Sequence, residues 1–220
     1  MSKIGTADIK GIMLGSAEIS KAYLGSDIVY QNAVPAPEGY EWCEYIQNTS
    51  SAYINTGCYP DSATQIEMVM ENVTNAAFKG ILGVARTGSY RWGVAQHASS
   101  STAAEFSYGN VNKSIGTIAE GTKTTIVING NKVTRNGTAY TNTGTWTGGA
   151  LSNPMYVFRE YAGGTNCALM KLYSLKITIG GVLLRDYVPI KKIDGSVYGL
   201  WDKVNQNFVT SASSSAFTGG

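Results

Sequence analysis

Residues 64–73 read TQIEMVMENV, and apolar and polar side chains alternate along most of this stretch. Ile66, Met68 and Met70 fall on one face, while the other face carries two glutamates. Successive side chains of a β-strand point to opposite faces. The period-two pattern therefore predicts a strand with one face in a core and the other toward solvent.

A longer alternation, ALMKLYSLKITI, spans residues 168–179 and ends at a glycine pair, residues 180–181. Two adjacent glycines accept the positive φ angles of a tight hairpin turn, so we expect a long strand that reverses there. Strict alternation puts Leu175 on the face opposite Met170 and Leu172.

Two Asn-Gly pairs mark further turns, at residues 129–130 and 136–137. Asn-Gly supplies the two positive φ angles of a type I′ turn at little cost, so each pair predicts a two-residue hairpin turn. Residues 78–85, FKGILGVA, form a mostly apolar run, which predicts a buried strand that includes Phe78.

Short strands recur along residues 40–220 with turn residues between them, and no segment has the pattern of a long amphipathic helix. Only 15% of the residues are charged, and the chain has 26 glycines and 14 tyrosines, as is typical of sheets with many turns. The predicted fold is all-β, with a jelly-roll β-sandwich as its main domain.

The N-terminal segment repeats every ten residues: ADIKGIMLGS at 7–16 is followed by AEISKAYLGS at 17–26 and then by DIVYQ. Gly15 and Gly25 take the first central position of a type II′ hairpin turn. We expect a meander of very short strands, which has too little core to fold alone. The segment is therefore predicted to serve attachment or oligomerisation, with a passive extension on a monomer as the alternative.

The side chains expected to make these attachment contacts are Ile9, Ile12, Leu14, Ile19, Tyr23, Leu24, Ile28 and Tyr30. Residues 31–39, QNAVPAPEG, contain two prolines and predict a linker. The predicted organisation is a β-repeat at 1–30, a linker at 31–39 and a sandwich at 40–220.

The net charge of +2 does not indicate binding to nucleic acid or to an anionic membrane. No signal-peptide pattern and no apolar run of bilayer length is found. Cys43, Cys58 and Cys167 have no zinc-site spacing, and we expect free buried thiols, with a Cys43–Cys58 bridge as the alternative. No cofactor or metal is predicted.

Several strand sequences resemble the concanavalin A-like (laminin-G-like) lectin and glucanase domains of phage and gut-bacterial surface proteins. They are EYIQ at 44–47, AYINTG at 52–57, MKLYSLKI at 170–177, RDYVP at 185–189, YGLWD at 198–202 and NF at 207–208. The fold hosts binders, enzymes and scaffolds, so the resemblance implies a fold more than a function.

The Leu-Gly-Ser repeat resembles N-terminal segments of phage tail-fibre and other virion proteins, carried here by residues 23–26 and 27–30. It implies a virion protein that is assembled in the host cytoplasm and exposed after lysis. Its partners would be other virion proteins and further copies of itself, as a homotrimer in a fibre.

Catalytic patterns are weak. Glycan-cleaving members of the resembled fold carry an Asp between two strand carboxylates, but Val69 stands between Glu67 and Glu71. His97 is the single histidine, it lies in a serine-rich loop, and no GxSxG pattern occurs. Calcium needs clustered oxygen ligands. Asp186 and Asp202 are instead expected to hold strand ends or to pair with Arg185 or Lys203.

Aromatic and basic residues near turns are the candidates for binding, because sugars stack on aromatic rings while polar neighbours meet their hydroxyls. They are Tyr90, Arg91, Trp92, His97, Trp146, Arg159 and Tyr161. The sequence predicts a non-enzymatic virion protein that recognises a host-surface glycan or protein. The alternatives are a structural decoration without a ligand and a glycan hydrolase.

Overall fold

The computed structural model describes residues 3–4, 7–8, 13–14, 17–18, 21–24, 27–31, 35–87, 90–96, 103–147, 149–160 and 166–220. The chain divides into two compact units, Met1–Glu38 and Gly39–Gly220. All the secondary-structure elements assigned in the described residues are β-strands, which confirms the all-β prediction. Within those ranges, no helix long and apolar enough to cross a membrane is found.

The described residues of the first unit form six short strands. They are β1 (Lys3–Ile4), β2 (Ala7–Asp8), β3 (Met13–Leu14), β4 (Ala17–Glu18), β5 (Lys21–Leu24) and β6 (Asp27–Gln31). They pair two by two as three separate antiparallel ladders, β1–β2, β3–β4 and β5–β6. The residues between these ladders lie outside the described ranges, so the continuous meander stays a prediction. The predicted turns at 15–16 and 25–26 lie outside the described residues.

The second unit contains seventeen described strands. They are β7 (Tyr40–Trp42), β8 (Ile46–Gln47), β9 (Ile54–Asn55), β10 (Gln65–Thr74), β11 (Gly80–Thr87), β12 (Tyr90–Gln96), β13 (Ala103–Gly109), β14 (Val111–Thr117), β15 (Lys123–Asn129), β16 (Lys132–Arg135), β17 (Thr138–Thr141), β18 (Tyr156–Val157), β19 (Leu169–Ile179), β20 (Val182–Lys192), β21 (Tyr198–Asp202), β22 (Asn207–Val209) and β23 (Thr218–Gly219).

These strands form two antiparallel sheets. The larger has the order β17-β16-β15-β10-β19-β20-β21-β22, with β7 on β20, β8 on β19 and β23 on β8. The smaller has the order β14-β13-β12-β11-β18-β9. One hydrophobic cluster contains buried side chains from both sheets, an arrangement consistent with a β-sandwich.

Strand β10 is confirmed as the alternation predicts. Ile66, Met68 and Met70 are buried in the shared core, whereas Glu67 is exposed on the opposite face. The strand lies at the centre of the larger sheet, between β15 and β19. Its apolar face therefore packs between the sheets while its glutamates stay at the surface.

Strand β19 departs from strict alternation at Tyr173. Neighbouring residues of β10 pair with Leu172 and Ser174, so Tyr173 is one extra residue in the ladder. Such a bulge moves the following side chains to the other face. The prediction that Leu175 lies opposite Met170 and Leu172 is therefore wrong. Four fully buried apolar side chains of β19 belong to the same core: Met170, Leu172, Leu175 and Ile177.

The two Asn-Gly pairs form different turns. Asn136 and Gly137 have φ angles of 47° and 83° between paired strands, which confirms the first requirement of a type I′ turn. At the other pair, Asn129 is still paired in β15, and Gly130 takes a positive φ as the first turn residue. The predicted position is wrong by one residue. Asn131 occupies the second turn position and donates from its amide to the Asn142 carbonyl.

Candidate functional site

Trp92 lies in the core rather than at a surface loop. It is 1% exposed and packs edge to face against Phe106, with 6.5 Å between the ring centres. Strand β12 directs it to the same side as Val94, toward the opposing sheet. Its rings are covered by protein, so the prediction that Trp92 contacts a ligand is corrected.

Trp146, another predicted binding residue, is only half-exposed and packs against the core margin. Its indole N–H donates to the Gly149 carbonyl at 3.1 Å, and its ring centre lies 5.3 Å from that of Tyr108. Contacts through Phe106 and Tyr108 join Trp146 to Trp92. These two predicted residues therefore belong to one packed aromatic row.

The two basic residues of the predicted site are at least partly buried. Arg159 is 5% exposed, and its guanidinium carbon is 3.9 Å from the centre of the Tyr53 ring. Arg91 is half-buried on β12, where its charge lowers the pKa of Glu160 against the larger raising effect of burial. The Tyr90 side chain, His97 and Tyr161 lie outside the described residues.

The attachment residues have no described side chains. Leu14, Tyr23, Leu24, Ile28 and Tyr30 lie in short paired strands of the first unit. Ile9, Ile12 and Ile19 lie outside the described residues. Their attachment role stays a prediction.

Phe78 is the most exposed aromatic residue among the exposed large hydrophobic side chains, at 61%. It also has a φ of 63°, in the left-handed region that a bulky residue rarely adopts. Strand β11 begins at Gly80, so the prediction that Phe78 starts a buried strand is wrong. Residues with strained backbone conformations cluster at functional sites, including those that bind ligands.

The loop that carries Phe78 is held by hydrogen bonds at both ends. The Ala76 N–H donates to the Gln96 side-chain oxygen at 3.0 Å, and the Gln96 N–H donates to the Lys79 carbonyl at 2.8 Å. The Gln96 amide also donates to the Asn75 side-chain oxygen at 3.0 Å. These contacts define the loop's backbone and hold Phe78 in its strained conformation.

A cavity of about 330 Å³ adjoins this loop, and we call it the Phe78 pocket. Ala76 and Lys79 line it, and Phe78 lies between them in the chain. The remaining lining residues are Thr49, Ser50, Ser51, Thr74, Cys167 and Leu169. The lining thus combines four hydroxyl groups, one amine, one thiol and two apolar side chains.

The hydroxyl-bearing rim at residues 49–51 is also fixed. The Asn48 side-chain oxygen accepts from the N–H groups of Ser50 and Ala52, and its amide donates to the Ala168 carbonyl. Ser51 uses its hydroxyl to contact Ser215. No partner for the hydroxyls of Thr49, Ser50 and Thr74 is found in the described part of the chain. Those three groups can therefore bond to a ligand.

Cys167 borders the pocket as a buried thiol. Burial raises its pKa, although Arg159 and Lys79 act to lower it. The thiol therefore stays protonated at neutral pH, which disfavours nucleophilic chemistry. Cys43, Cys58 and Cys167 are all free, which confirms that prediction, although Cys43 is only half-buried.

A second cavity, of about 350 Å³, contains Arg185 and Asp202. Arg185 Nε donates to the Thr56 carbonyl at 3.0 Å and lies 3.5 Å from an oxygen of Asp202, which confirms the predicted pairing. Asp202, at 1% exposure, also accepts from the Val204 N–H and the Asn205 amide. The polar groups are largely used internally, so this network holds strands together.

Glu67 and Glu71 lie in different environments on the outer face of β10. Glu71 accepts from Lys171 and from the Tyr173 hydroxyl, both at 2.8 Å, and these contacts lower its pKa. A general acid needs a proton at working pH, which this environment disfavours. Glu67 lies 4.0 Å from Lys176 at the surface. No group of three His, Cys, Asp or Glu suited to a metal is found within the described ranges.

Comparison with protein-family models, with curated proteins and with solved structures finds no match. The resemblance to lectin-like domains and to virion proteins therefore stays a prediction. The site that can be argued from this chain's own geometry is the Phe78 pocket.

Proposed function

We propose that this protein is a non-enzymatic binding protein whose second unit recognises a glycan at the Phe78 pocket. The observation that carries the proposal is an exposed, strained aromatic in a loop in which Ala76 and Lys79 line a cavity with free hydroxyl groups. The C–H face of a sugar stacks on an aromatic ring, and its hydroxyls bond to polar neighbours. Phe78 would supply the stacking contact, and the hydroxyls of Thr49, Ser50 and Thr74 would supply the hydrogen bonds.

The strain at Phe78 supports a role in binding. A left-handed φ at a bulky residue costs about 1–3 kcal/mol and persists only where neighbouring contacts impose it. Burial of the ring does not offset this cost, because most of Phe78 is exposed. An external ligand would supply the missing contact, and the fixed loop would lower the entropic cost of binding.

The first unit would attach the protein to its assembly. Two-stranded ladders are at best marginally stable alone, so a repeat of three such ladders needs a partner. With the resemblance of the repeat to virion segments, this supports a phage virion protein, assembled as a homotrimer and carrying a concanavalin-like jelly roll. Host-surface recognition would follow after release from the cell by lysis.

Binding to a glycan array by the full-length protein tests the proposal. Phe78→Gly relieves the backbone strain and removes the ring, so binding should fall at least about tenfold while the melting temperature holds or rises. Tyr59→Ala is the matched control, because Tyr59 is another aromatic that is about half exposed. Undiminished binding by Phe78→Gly would reject this site.

A structural decoration without a ligand is the second candidate. It is favoured by the burial of Trp92 and the packing of Trp146, which leave fewer exposed aromatics than expected. Failure of the wild-type protein to bind any glycan or host surface would support it. Release of reducing sugar that depends on Glu71 would instead support the hydrolase alternative.

A further inference from the structure

We propose that the ligand of the Phe78 pocket is an anionic sugar, whose ring stacks on Phe78 and whose negative group pairs with Lys79. This inference rests on the proposed glycan-binding function and narrows it to one chemical class. It follows from the charge and position of the groups that line the pocket.

The charge of the pocket is positive. Lys79 is half-buried in the lining, and the other lining residues carry hydroxyl, thiol or apolar side chains and no carboxylate. Arg159 does not line the pocket: it is buried, and its guanidinium packs on the Tyr53 ring, so Lys79 is the cation of the described lining. A partly desolvated lysine attracts an anion more strongly than a fully exposed one does.

Lys79 is also held in place. Its carbonyl accepts from the Gln96 N–H, and a Cβ added to the following residue, Gly80, would lie 2.4 Å from the Glu160 nitrogen. The chain therefore passes this point in close contact with its neighbour and cannot shift freely. No ion-pair partner of Lys79 is found within the described ranges, so its ammonium group can pair with a ligand.

The other groups favour a sugar over a free anion. A single lysine is a point charge without the bidentate geometry that selects small oxyanions. The exposed ring of Phe78, the residue before Lys79 in the chain, and the three free hydroxyls would contact a much larger body, and a pyranose offers both a C–H face and several hydroxyls. The charge would then select among sugars that the ring and hydroxyls already hold.

Pairs of sugars that differ in one group provide the test. We would titrate full-length protein with D-glucuronate against D-glucose, and D-galacturonate against D-galactose, by calorimetry at low and at physiological ionic strength. The acid of each pair should bind about tenfold more tightly at low salt, and the preference should shrink as salt rises. Glucose 6-sulfate and glucose 6-phosphate distinguish carboxylate from tetrahedral anions, and preference for any of the three anions supports the proposal.

Lys79→Gln should abolish the preference while leaving affinity for the neutral sugar within about twofold. Lys203→Gln is the control, because Lys203 is exposed and does not line the pocket. Equal binding of acid and neutral sugars by the wild type would overturn the inference without using a variant, as would a preference that survives Lys79→Gln.

The two proposals fail in different ways. Absence of binding by both members of every pair, together with an empty glycan array, would reject glycan recognition itself. Binding of both members that is lost in Phe78→Gly but shows no charge preference would reject only the anionic class.

Discussion

At the scale of single residues, Phe78 has an exposed ring, although burial of that ring would stabilise the fold. An aromatic side chain normally contributes to stability by being buried, yet Phe78 is 61% exposed and has a φ of 63°. The contacts of Gln96 with both ends of the loop impose this conformation. Phe78 is therefore expected to lower the free energy of unfolding of the protein without ligand, and denaturation experiments on variants can measure this effect.

Phe78→Gly should be more stable than Phe78→Ala by about 1 kcal/mol, because glycine adopts a positive φ without a steric penalty. Chemical denaturation of both variants measures the difference. Asn136→Gly is the control and should not be more stable than the wild type, whereas Phe78→Gly should be at least as stable as the wild type. Asn136 also has a positive φ, but asparagine tolerates it, and its side-chain oxygen accepts from the Thr125 N–H. An equal gain at both positions would argue against special strain at Phe78.

Glu71 should make stability depend on pH in the acid range. Its pKa in the folded state lies below the ordinary value of 4.5, first because Lys171 and then because Tyr173 donates to it. A lowered carboxyl pKa stabilises the fold fully above the unfolded-state value, and that stabilisation is lost as pH falls through the folded-state pKa.

Glu71→Gln should therefore cost about 1 kcal/mol at pH 7, since it removes charge-assisted hydrogen bonds. The melting temperatures of variant and wild type should converge as the pH is lowered below 4.5. Glu67→Gln is the control on the same strand and should cost little at any pH, because Glu67 is exposed and 4.0 Å from Lys176. A constant difference for Glu71→Gln would contradict this account.

At the scale of elements, the bulge in β19 decides which side chains enter the core. The extra residue, Tyr173, stays on the outer surface, where its ring contacts Tyr45 and its hydroxyl donates to Glu71. Leu175 then faces the same core as Leu172. Without the bulge, the apolar residues after Tyr173 would face solvent.

Leu175→Ala should destabilise the protein by about 3 kcal/mol, because it leaves a cavity in the core. Lys176→Ala, at the next position of β19, should change the free energy of unfolding by less than about 0.5 kcal/mol, because Lys176 is exposed. Urea denaturation gives both values. The reverse order would mean that the strand keeps strict alternation.

Asp202 connects strands that are distant in the chain. It pairs with Arg185 of β20, while Arg185 donates to the Thr56 carbonyl just after β9. The network therefore links the end of the larger sheet to the edge of the smaller sheet.

Asp202→Asn should cost about 3 kcal/mol, because it leaves the Arg185 charge without its partner in a partly buried site. Thermal unfolding measures the loss. Asp194→Asn is the control, since Asp194 is an exposed turn residue that accepts from the N–H and the hydroxyl of Ser196. A small effect at Asp202 would show that solvent replaces the carboxylate.

At the scale of the whole molecule, the second unit contains its own core. The residues of the hydrophobic cluster run from Cys43 to Phe217, and all belong to Gly39–Gly220. The proline-containing linker predicts that the sandwich starts at residue 40, and the second unit starts at Gly39.

Removal of residues 1–38 should leave Gly39–Gly220 folded, with a melting temperature within about 2 °C of the full chain, because no cluster residue is lost. The proposed attachment role adds that the shortened protein should be monomeric in sedimentation. If the shortened protein assembles as the full chain does, the attachment role of the first unit is rejected. If Gly39–Gly220 alone failed to fold, the conclusion that the second unit has an independent core would be contradicted.

The sequence by itself determined the all-β class, the buried face of β10 and the turn at Asn136-Gly137, because alternation and turn chemistry are properties of adjacent residues. Only the tertiary structure decided that Trp92 is covered, that Leu175 is buried and that Phe78 is exposed. Each of these depends on a partner distant in the chain: the opposing sheet, the register against β10, and the contacts of Gln96. The candidate site was therefore missed by sequence reasoning. The conformation of the Phe78 loop is set by hydrogen bonds with Gln96, which lies outside the loop, and local periodicity gives no information about such contacts.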